Sequence, residues 1–173
     1  MENTISTLIL EDNFVLGKKF SAIVNQWPEA TLVAYCSTLS EALTVIKHER
    51  IDLFISDLNL PDGSGIAAIE LMSALHPSGR SVVISVLSER EAVVSAMKTG
   101  AIGYFSKDDT SINLLQSLKS IMAGNSSISV NIARHILNME RLESTVEGNT
   151  EVKDDNDISL FYSLLGWDPY FCD

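Results

Sequence analysis

Three acidic residues and one lysine follow apolar runs of the sequence, at positions where β-strands are expected to end. Glu11 and Asp12 follow the first such run, Asp57 follows a later one, and Lys107 follows the last. Because the carboxyl ends of parallel strands meet at one edge of a sheet, we expect these four side chains to lie close together. Crowded carboxylates repel each other unless a cation lies between them. The sequence therefore predicts a site with oxygen ligands for a divalent cation such as Mg²⁺.

The elements that must position these side chains alternate along the chain up to about residue 123. Short runs rich in Val, Ile and Leu are typical of strands covered on both faces, and the longer stretches between them have helical periodicity. We expect strands near residues 7–10, 31–36, 53–56, 81–85 and 103–105, and helices near residues 13–25, 39–48, 65–75, 89–99 and 111–123. Five βα units in series predict an α/β fold, a doubly wound five-stranded parallel sheet with helices on both faces.

Composition narrows the class of protein. The chain has 173 residues, of which 46% are hydrophobic, and a net charge of −11. This length and hydrophobic content fit one globular domain with an extension. The acidic balance argues against a nucleic-acid surface, which is usually basic. Two cysteines are too few for a disulfide framework, and no segment approaches a membrane span. We expect a cytoplasmic protein that does not contact membranes, with Cys36 as a small core residue.

The composition changes after the fifth βα unit. Residues 127–141 predict one more helix, and we place a linker helix at 125–143. An acidic linker and an apolar C-terminal tail follow at 144–173, and the last sixteen residues, 158–173, contain no lysine or arginine. We expect the apolar tail to pack on its own chain or on a dimer partner, because an exposed apolar segment favours aggregation. Disorder of the tail is the alternative.

Several separate motifs resemble a known family. They are Leu10-Glu11-Asp12-Asn13, Ser56-Asp57-Leu58-Asn59-Leu60-Pro61-Asp62-Gly63-Ser64-Gly65, Val83-Ile84-Ser85 and Gly100-Ala101-Ile102-Gly103-Tyr104-Phe105-Ser106-Lys107. In this order and spacing they resemble the receiver domain of bacterial two-component response regulators, over residues 5–124. Lys107-Asp108 and Met122-Ala123-Gly124 resemble its NarL/FixJ (LuxR-type) branch. The resemblance implies a receiver domain at 1–124 with the flavodoxin-like, CheY-like strand order 2-1-3-4-5.

The resemblance also implies roles for the residues at the strand ends. Asp57 would accept a phosphoryl group from a phosphohistidine of a sensor histidine kinase or a phosphotransfer protein. Glu11, Asp12 and Asp57 would bind Mg²⁺, with Mn²⁺ as a second candidate, together with the backbone carbonyl of Asn59. Lys107 would place its positive charge on the phosphoryl oxygens.

Five further residues would switch or tune this site. Ser85 would hydrogen-bond a phosphoryl oxygen, and Tyr104 would turn inward as Ser85 moves. Asn59 would help to position the water that hydrolyses the acyl phosphate. Val86 and Leu87 are bulky residues beside the switch serine, so we expect them to hinder attack by water and to slow self-dephosphorylation.

The same residue types also fit plainer structural roles. Asp12 fits a helix N-cap, and Asp57 and Asn59 fit turn-forming residues that bond to local backbone. Ser85 fits a hydroxyl bonded to local backbone, and Tyr104 fits a half-buried residue at a strand end. Lys107 would then be a solvated surface lysine, and none of the three histidines has neighbours suited to a zinc site.

The output of the chain has two interpretations. Regulators of the NarL/FixJ branch continue into a helix-turn-helix domain, but residues 158–173 are too short and too acidic to read a DNA groove. In the first interpretation the chain is a receiver that acts through protein contacts and forms a homodimer on phosphorylation, without touching nucleic acid. In the second it is a truncated or diverged DNA-binding transcriptional regulator. A phosphatase of the related Asp-nucleophile class is disfavoured, because Asn59 stands where those enzymes have a second Asp. We expect no enzyme beyond its own phosphotransfer and slow dephosphorylation.

Overall fold

A computed structural model describes residues 4–86, 90–107, 113–125 and 127–128 of the chain. The strands are β1 (Ile5–Leu10), β2 (Ala30–Cys36), β3 (Leu53–Ser56), β4 (Asn59–Leu60), β5 (Gly63–Ser64), β6 (Arg80–Ser85), β7 (Ala101–Ser106) and β8 (Ser127–Ile128). The helices are α1 (Phe14–Asn25), α2 (Leu39–His48), α3 (Gly65–Leu75), α4 (Arg90–Thr99) and α5 (Leu114–Met122). All five predicted βα units are present.

The main sheet is parallel and has the strand order β2-β1-β3-β6-β7-β8. Its five long strands therefore follow the predicted order 2-1-3-4-5. The strand order reverses between β1 and β3, because the chain leaves β1 in one direction to form β2 and returns to the other side for β3. Ligands of doubly wound sheets bind beyond the strand ends at such a reversal, and Glu11 and Asp57 directly follow these two strands.

The register of the strands brings their carboxyl ends to one level. Leu10 pairs with Ser56 across β1 and β3, and Ser85 pairs with Ser106 across β6 and β7. The hydrogen bonds continue one residue further, since the Asp57 amide donates to the Leu10 carbonyl at 2.8 Å and the Lys107 amide donates to the Ser85 carbonyl at 2.9 Å. The backbone of both residues is thus fixed by the sheet itself.

Each face of the sheet buries its own apolar core. Alternation along β1 sends Leu8 and Leu10 toward α2, α3 and α4, and sends Ile9 toward α1 and α5. All three side chains are at most 1% exposed, and full burial of a side chain of this size stabilises the fold by about 1.5–3 kcal/mol. The continuous apolar run of β1 is explained by these two covered faces.

Two helix ends show how local sequence sets the boundaries. Asn13, and not Asp12, is the N-cap of α1, because its side chain accepts hydrogen bonds from the amides of Val15 and Leu16. The capping role considered for Asp12 was therefore wrong. Gly100, directly after α4, has a φ of 118°, a left-handed conformation that side chains disfavour and that often ends helices.

The end of the described chain differs from the expectation. Ser127 and Ile128 form β8 and pair with Gly103 and Tyr104 of β7, so these two residues do not begin the predicted helix. An unpaired strand edge offers free backbone donors and acceptors, and a sixth strand satisfies part of that edge. The remainder of the predicted linker helix 125–143, and the whole segment 144–173, lie outside the described residues. Among the helices that the structure does describe, none has the length and apolar character to cross a membrane.

Candidate functional site at the carboxyl edge of the sheet

Asp57 lies at the centre of the site and is 3% exposed. Its Oδ1 accepts hydrogen bonds from the Leu58 amide at 2.7 Å, the Ser85 hydroxyl at 2.8 Å and the Asn59 amide at 3.3 Å. Its Oδ2 lies 2.6 Å from the Lys107 ammonium. These four contacts fix both carboxylate oxygens of Asp57 in place at the sheet edge.

Lys107 bridges two carboxylates. Besides Asp57, its ammonium lies 2.9 Å from Oε1 and 2.8 Å from Oε2 of Glu11. Burial alone would lower the pKa of Lys107, but the hydrogen bonds and charges of Asp57 and Glu11 outweigh burial and raise the pKa above its ordinary value. The lysine is thus held in its charged form, and the alternative of a solvated surface lysine was wrong.

Glu11 is 1% exposed and only partly satisfied. Its Oε1 accepts a hydrogen bond from the Asn13 amide at 3.0 Å, whereas its buried Oε2 has the ion-pair contact with Lys107 but no hydrogen-bond donor. Burial is the main cause of its raised pKa, and the contacts with Lys107 and the Asn13 amide oppose that rise. A buried carboxylate oxygen without a donor is the kind of group that a metal ion satisfies.

The geometry fits a hard cation. Glu11, Asp12 and Asp57 each present an oxygen, and these oxygens lie within 4.8 Å of one another. Within the described part of the chain this is the only cluster of three or more such metal-ligating side chains. Asp12 is exposed whereas Glu11 and Asp57 are buried, so one ligand faces solvent. An all-oxygen set that leaves positions for water suits Mg²⁺ or Mn²⁺.

The two proposed switch residues, Ser85 and Tyr104, are both buried. Ser85 is completely buried and donates its hydroxyl proton to Asp57, so its proposed local backbone bond is not the contact that the structure shows. Tyr104 is also completely buried, in the apolar core beneath α4. The alternative of a half-buried Tyr104 was wrong, and the ring is already in the inward position.

The three residues expected to tune the site differ in their exposure and in whether the structure describes them. Asn59 is exposed, and its described contact with Asp57 is made by the backbone amide and not by the side chain. Val86 directly follows Ser85, the last residue of β6, and 48% of its surface is exposed. Leu87 lies outside the described residues.

Two supporting groups were missed in the sequence. The Asn13 amide donates a hydrogen bond to Glu11, and the sequence signal for this contact was an Asn between the acidic pair and the first predicted helix. Gly65 opens α3 directly beneath Asp57, where a Cβ would overlap the Asp57 carbonyl oxygen. A glycine at the first position of a helix is the only signal of this close approach, and sequence pattern alone does not say what it approaches.

The chain is similar in sequence to known proteins. Residues 7–119 match the response regulator receiver domain as a family. The nitrate/nitrite response regulator protein NarL of Escherichia coli strain K12 is 32% identical over 117 residues, which cover 68% of this chain and 54% of NarL. The transcriptional regulatory protein DegU of Brevibacillus brevis is 24% identical over 159 residues, which cover 88% of this chain and 67% of DegU. The chain thus spans about half the length of NarL.

Solved structures agree in fold. A two-component response regulator of the LuxR family from Aurantimonas sp. SI85-9A1 superposes with a TM-score of 0.71 at 24% identity, covering 80% of this chain and 99% of that one. The isolated receiver domain of RcsB from Salmonella enterica serovar Typhimurium superposes with a TM-score of 0.70 at 16% identity, covering 78% and 99%. With the family match over residues 7–119, the chain belongs to the response regulator receiver domain family, whose members accept phosphoryl groups in signal transduction.

Proposed function

We propose that Asp57 is the phosphoacceptor of this chain and that a phosphohistidine is the donor. The observation that carries this proposal is the set of contacts around the Asp57 carboxylate, which combine a buried serine, a partly buried lysine and two backbone amides in a member of the receiver family. A carboxylate oxygen attacks phosphorus, a P–O bond forms, and the P–N bond to the imidazole breaks. The neutral imidazole leaves, and the product is an acyl phosphate.

The surrounding residues supply charge and orientation for this transfer. We assign the cation to Glu11, Asp12 and Asp57, with the backbone carbonyl of Asn59 as a further ligand. When bound, Mg²⁺ neutralises charge on the transferring phosphoryl oxygens. Lys107 would provide a second positive charge, and the position of its ammonium 2.6 Å from Asp57 Oδ2 supports this role.

Ser85 and Tyr104 would transmit the modification. The Ser85 hydroxyl now donates to Asp57 Oδ1, and it can donate to a phosphoryl oxygen attached at the same place. The inward Tyr104 ring packs against α4, so a shift of Ser85 and the residues after β6 changes the surface near α4 and β7. Small shifts of packed elements between two ordered arrangements underlie many switching proteins.

The exposed Val86 side chain supports slow self-dephosphorylation. A branched apolar side chain at the mouth of the site restricts the approach of water to phosphorus, together with Leu87 and Asn59. We expect the acyl phosphate to persist for many minutes at saturating Mg²⁺. A half-life of seconds would rule out this role of Val86, and Val86→Ala is the variant that should shorten the half-life.

For the output, we propose that phosphorylation changes association of the chain with itself and with a histidine kinase or phosphotransfer protein. The chain would catalyse only its own phosphotransfer and slow dephosphorylation, and it would act in the cytoplasm without contacting nucleic acid. The alternative is a truncated or diverged form of a DNA-binding transcriptional regulator whose output domain is lost. A DNA-binding assay on the full chain separates the two.

The phosphoacceptor proposal is tested with a small phosphodonor or with beryllofluoride. Intact mass and size-exclusion chromatography are measured on the wild type and on Asp57→Asn, with and without Mg²⁺. We expect a mass increase of one phosphoryl group only in the wild type with Mg²⁺, and an earlier elution of the modified chain. Equal phosphorylation of Asp57→Asn would contradict the assignment of the acceptor.

A further inference from the structure

A tyrosine at the sheet edge and a glycine in the neighbouring helix interlock close to the acidic residues. Gly17 is buried in the second turn of α1, and Tyr35 is half-buried near the end of β2. A Cβ built on Gly17 would overlap Cε2 and Cζ of the Tyr35 ring. The missing side chain at position 17 therefore provides the space that the tyrosine ring fills.

The position of Tyr35 in the sheet connects it with Glu11. Tyr35 pairs with Ile9, and the next residue, Cys36, pairs with Leu10. The Cys36 carbonyl then accepts a hydrogen bond from the Glu11 amide at 3.0 Å. Tyr35 is thus level with Ile9 in the sheet, two residues before Glu11 of the acidic pair.

The position of Gly17 in α1 connects it with the same residue from the other side. The Gly17 amide donates to the Asn13 carbonyl at 2.9 Å, and the Asn13 amide donates to Glu11 Oε1 at 3.0 Å. Asn13 also caps α1 through its side chain. The Tyr35 ring therefore packs against α1 one helical turn after Asn13, whose amide orients Glu11.

The charge of the acidic residues reaches the Tyr35 phenol. Burial raises the pKa of Tyr35, and the negative charges of Glu11, Asp12 and Glu41 raise it further. This effect agrees with the geometry, since Coulomb interactions of this kind require short separations at a partly solvated site.

We propose that Tyr35 is a positioning residue of the cation site. By filling the space above Gly17, its ring sets the distance between the first turn of α1 and the edge of the sheet. That distance decides how Glu11 and Asp12, which join β1 to α1, are placed relative to Asp57. The inference rests on the proposed function, because it assumes that these three acids bind a divalent cation.

The test is the affinity for Mg²⁺, measured by isothermal titration calorimetry on the full chain well below the melting temperature of each variant. Tyr35→Ala should weaken Mg²⁺ binding by about fivefold to tenfold, at the lower limit of what residues behind metal ligands contribute. Tyr35→Phe keeps the ring and should bind Mg²⁺ within about twofold of the wild type.

A size-complementation pair tests the contact with Gly17. Gly17→Ala should weaken Mg²⁺ binding as Tyr35→Ala does, because the new Cβ displaces the ring. The double variant should be no weaker than Tyr35→Ala alone, since residues that act through one contact are not additive. Additive losses in the double variant would overturn the proposed interlock.

Leu32→Ala is the control for general destabilisation. Leu32 lies on β2, packs in the same core as Tyr35, and pairs with Thr7 farther from the acidic edge. The Leu32→Ala substitution should lower the melting temperature without changing the Mg²⁺ affinity.

If Tyr35→Ala and Leu32→Ala bind Mg²⁺ with equal affinity while the wild type binds it normally, only the proposed role of Tyr35 is overturned. No saturable binding by the wild type, with Asp12→Asn unchanged from it, would overturn the cation site and this inference together.

Discussion

Lys107 neutralises two buried or nearly buried carboxylates at once. Its side chain is 10% exposed, while those of Glu11 and Asp57 are 1% and 3% exposed. Removing one member of such a buried group leaves the others uncompensated, which costs more than the favourable contact itself contributed. Lys107 therefore compensates part of the negative charge of Glu11 and Asp57, as a bound cation would.

Replacing Lys107 by Met should expose this double role. We expect Lys107→Met to lower the free energy of unfolding by about 1–3 kcal/mol without metal, because Glu11 and Asp57 then repel each other. Mg²⁺ should bind more tightly than to the wild type and should restore part of the loss, since a ligand of the folded state stabilises it. Urea denaturation with and without Mg²⁺ measures both effects.

Lys18→Met is the matched control, because Lys18 is exposed on α1 and lies over the Phe14 ring. It should change the free energy of unfolding by less than about 1 kcal/mol and leave the Mg²⁺ dependence unchanged. If Lys107→Met were as stable without metal as Lys18→Met, the compensating role of Lys107 would be wrong.

At the scale of elements, α2 shows how a helix start can depend on pH. Thr38 and Glu41 form a reciprocal capping box, and Glu41 also accepts a hydrogen bond from the Ser37 amide at 2.9 Å. Hydrogen bonds from the Ser37 amide, the Thr38 amide and the hydroxyls of both residues hold the pKa of Glu41 below its ordinary value of 4.5. The Ser37 amide has the largest effect, and burial, which has the second largest, opposes it. The ionised carboxylate is thus the form that the folded helix start prefers.

A lowered pKa in the folded state fixes the sign of the pH effect. The charge of Glu41 contributes its full stabilisation above pH 4.5, and the contribution is lost as the pH falls through the folded-state pKa. Glu41→Gln keeps the capping box without the charge. We expect the wild type to be more stable than this variant at pH 6 and the difference to shrink steadily below pH 4.5. Thermal unfolding across this range measures it, and a constant difference would contradict the assignment.

The short strand β8 is an element that the sequence did not predict. Its two residues continue the sheet beyond β7, so they should protect part of the β7 edge from solvent. In a chain that ends at residue 125, we expect faster amide exchange across Ala101–Ser106 and unchanged exchange in the central strand Leu53–Ser56. Hydrogen exchange with mass spectrometry resolves the two segments.

A chain that ends at residue 144 separates β8 from the acidic and apolar tail. This chain retains β8, so its exchange across β7 should match that of the full chain. If both truncated chains exchange equally fast, protection of β7 comes from residues after 144 and not from β8.

At the scale of the whole molecule, Cys36 reports on global opening. It lies at the end of β2 and is 3% exposed, and burial, with a contribution from the charge of Glu41, raises the pKa of its thiol to about 11. Because the thiolate is the reactive form, the native protein should protect this thiol twice, by exclusion of reagent and by protonation.

In the variant Cys172→Ser, Cys36 is the only cysteine. We expect its alkylation at pH 8 to be slower than that of the unfolded chain by more than about a hundredfold, with a rate that rises with urea as the fold opens. Labelling in parallel with circular dichroism checks this. Fast labelling under native conditions would show that the β2 edge opens without global unfolding.

The sequence by itself determined the fold class and the edge at which the acids gather, whereas the strand order was implied by the resemblance to receiver domains. These follow from local patterns, since apolar runs, helix periodicity and the residues that follow each strand are all readable from neighbours in the chain. Resemblance in several motifs then identified the residues around Asp57. The same reasoning was wrong at the α1 cap and at β8, where a choice between adjacent residues or between helix and strand depended on available hydrogen-bond partners.

Only the tertiary structure decided which groups touch. The bridge from Lys107 to Glu11 joins residues 96 positions apart, the approach of Gly65 to Asp57 needs the packing of α3 beneath β3, and the interlock of Tyr35 with Gly17 needs α1 laid against the sheet edge. Sequence pattern brings some of these residues to the same edge or marks a glycine, but it does not say which atoms touch. Each contact arises when elements that formed independently are packed to crystal-like density and their side chains share the same space.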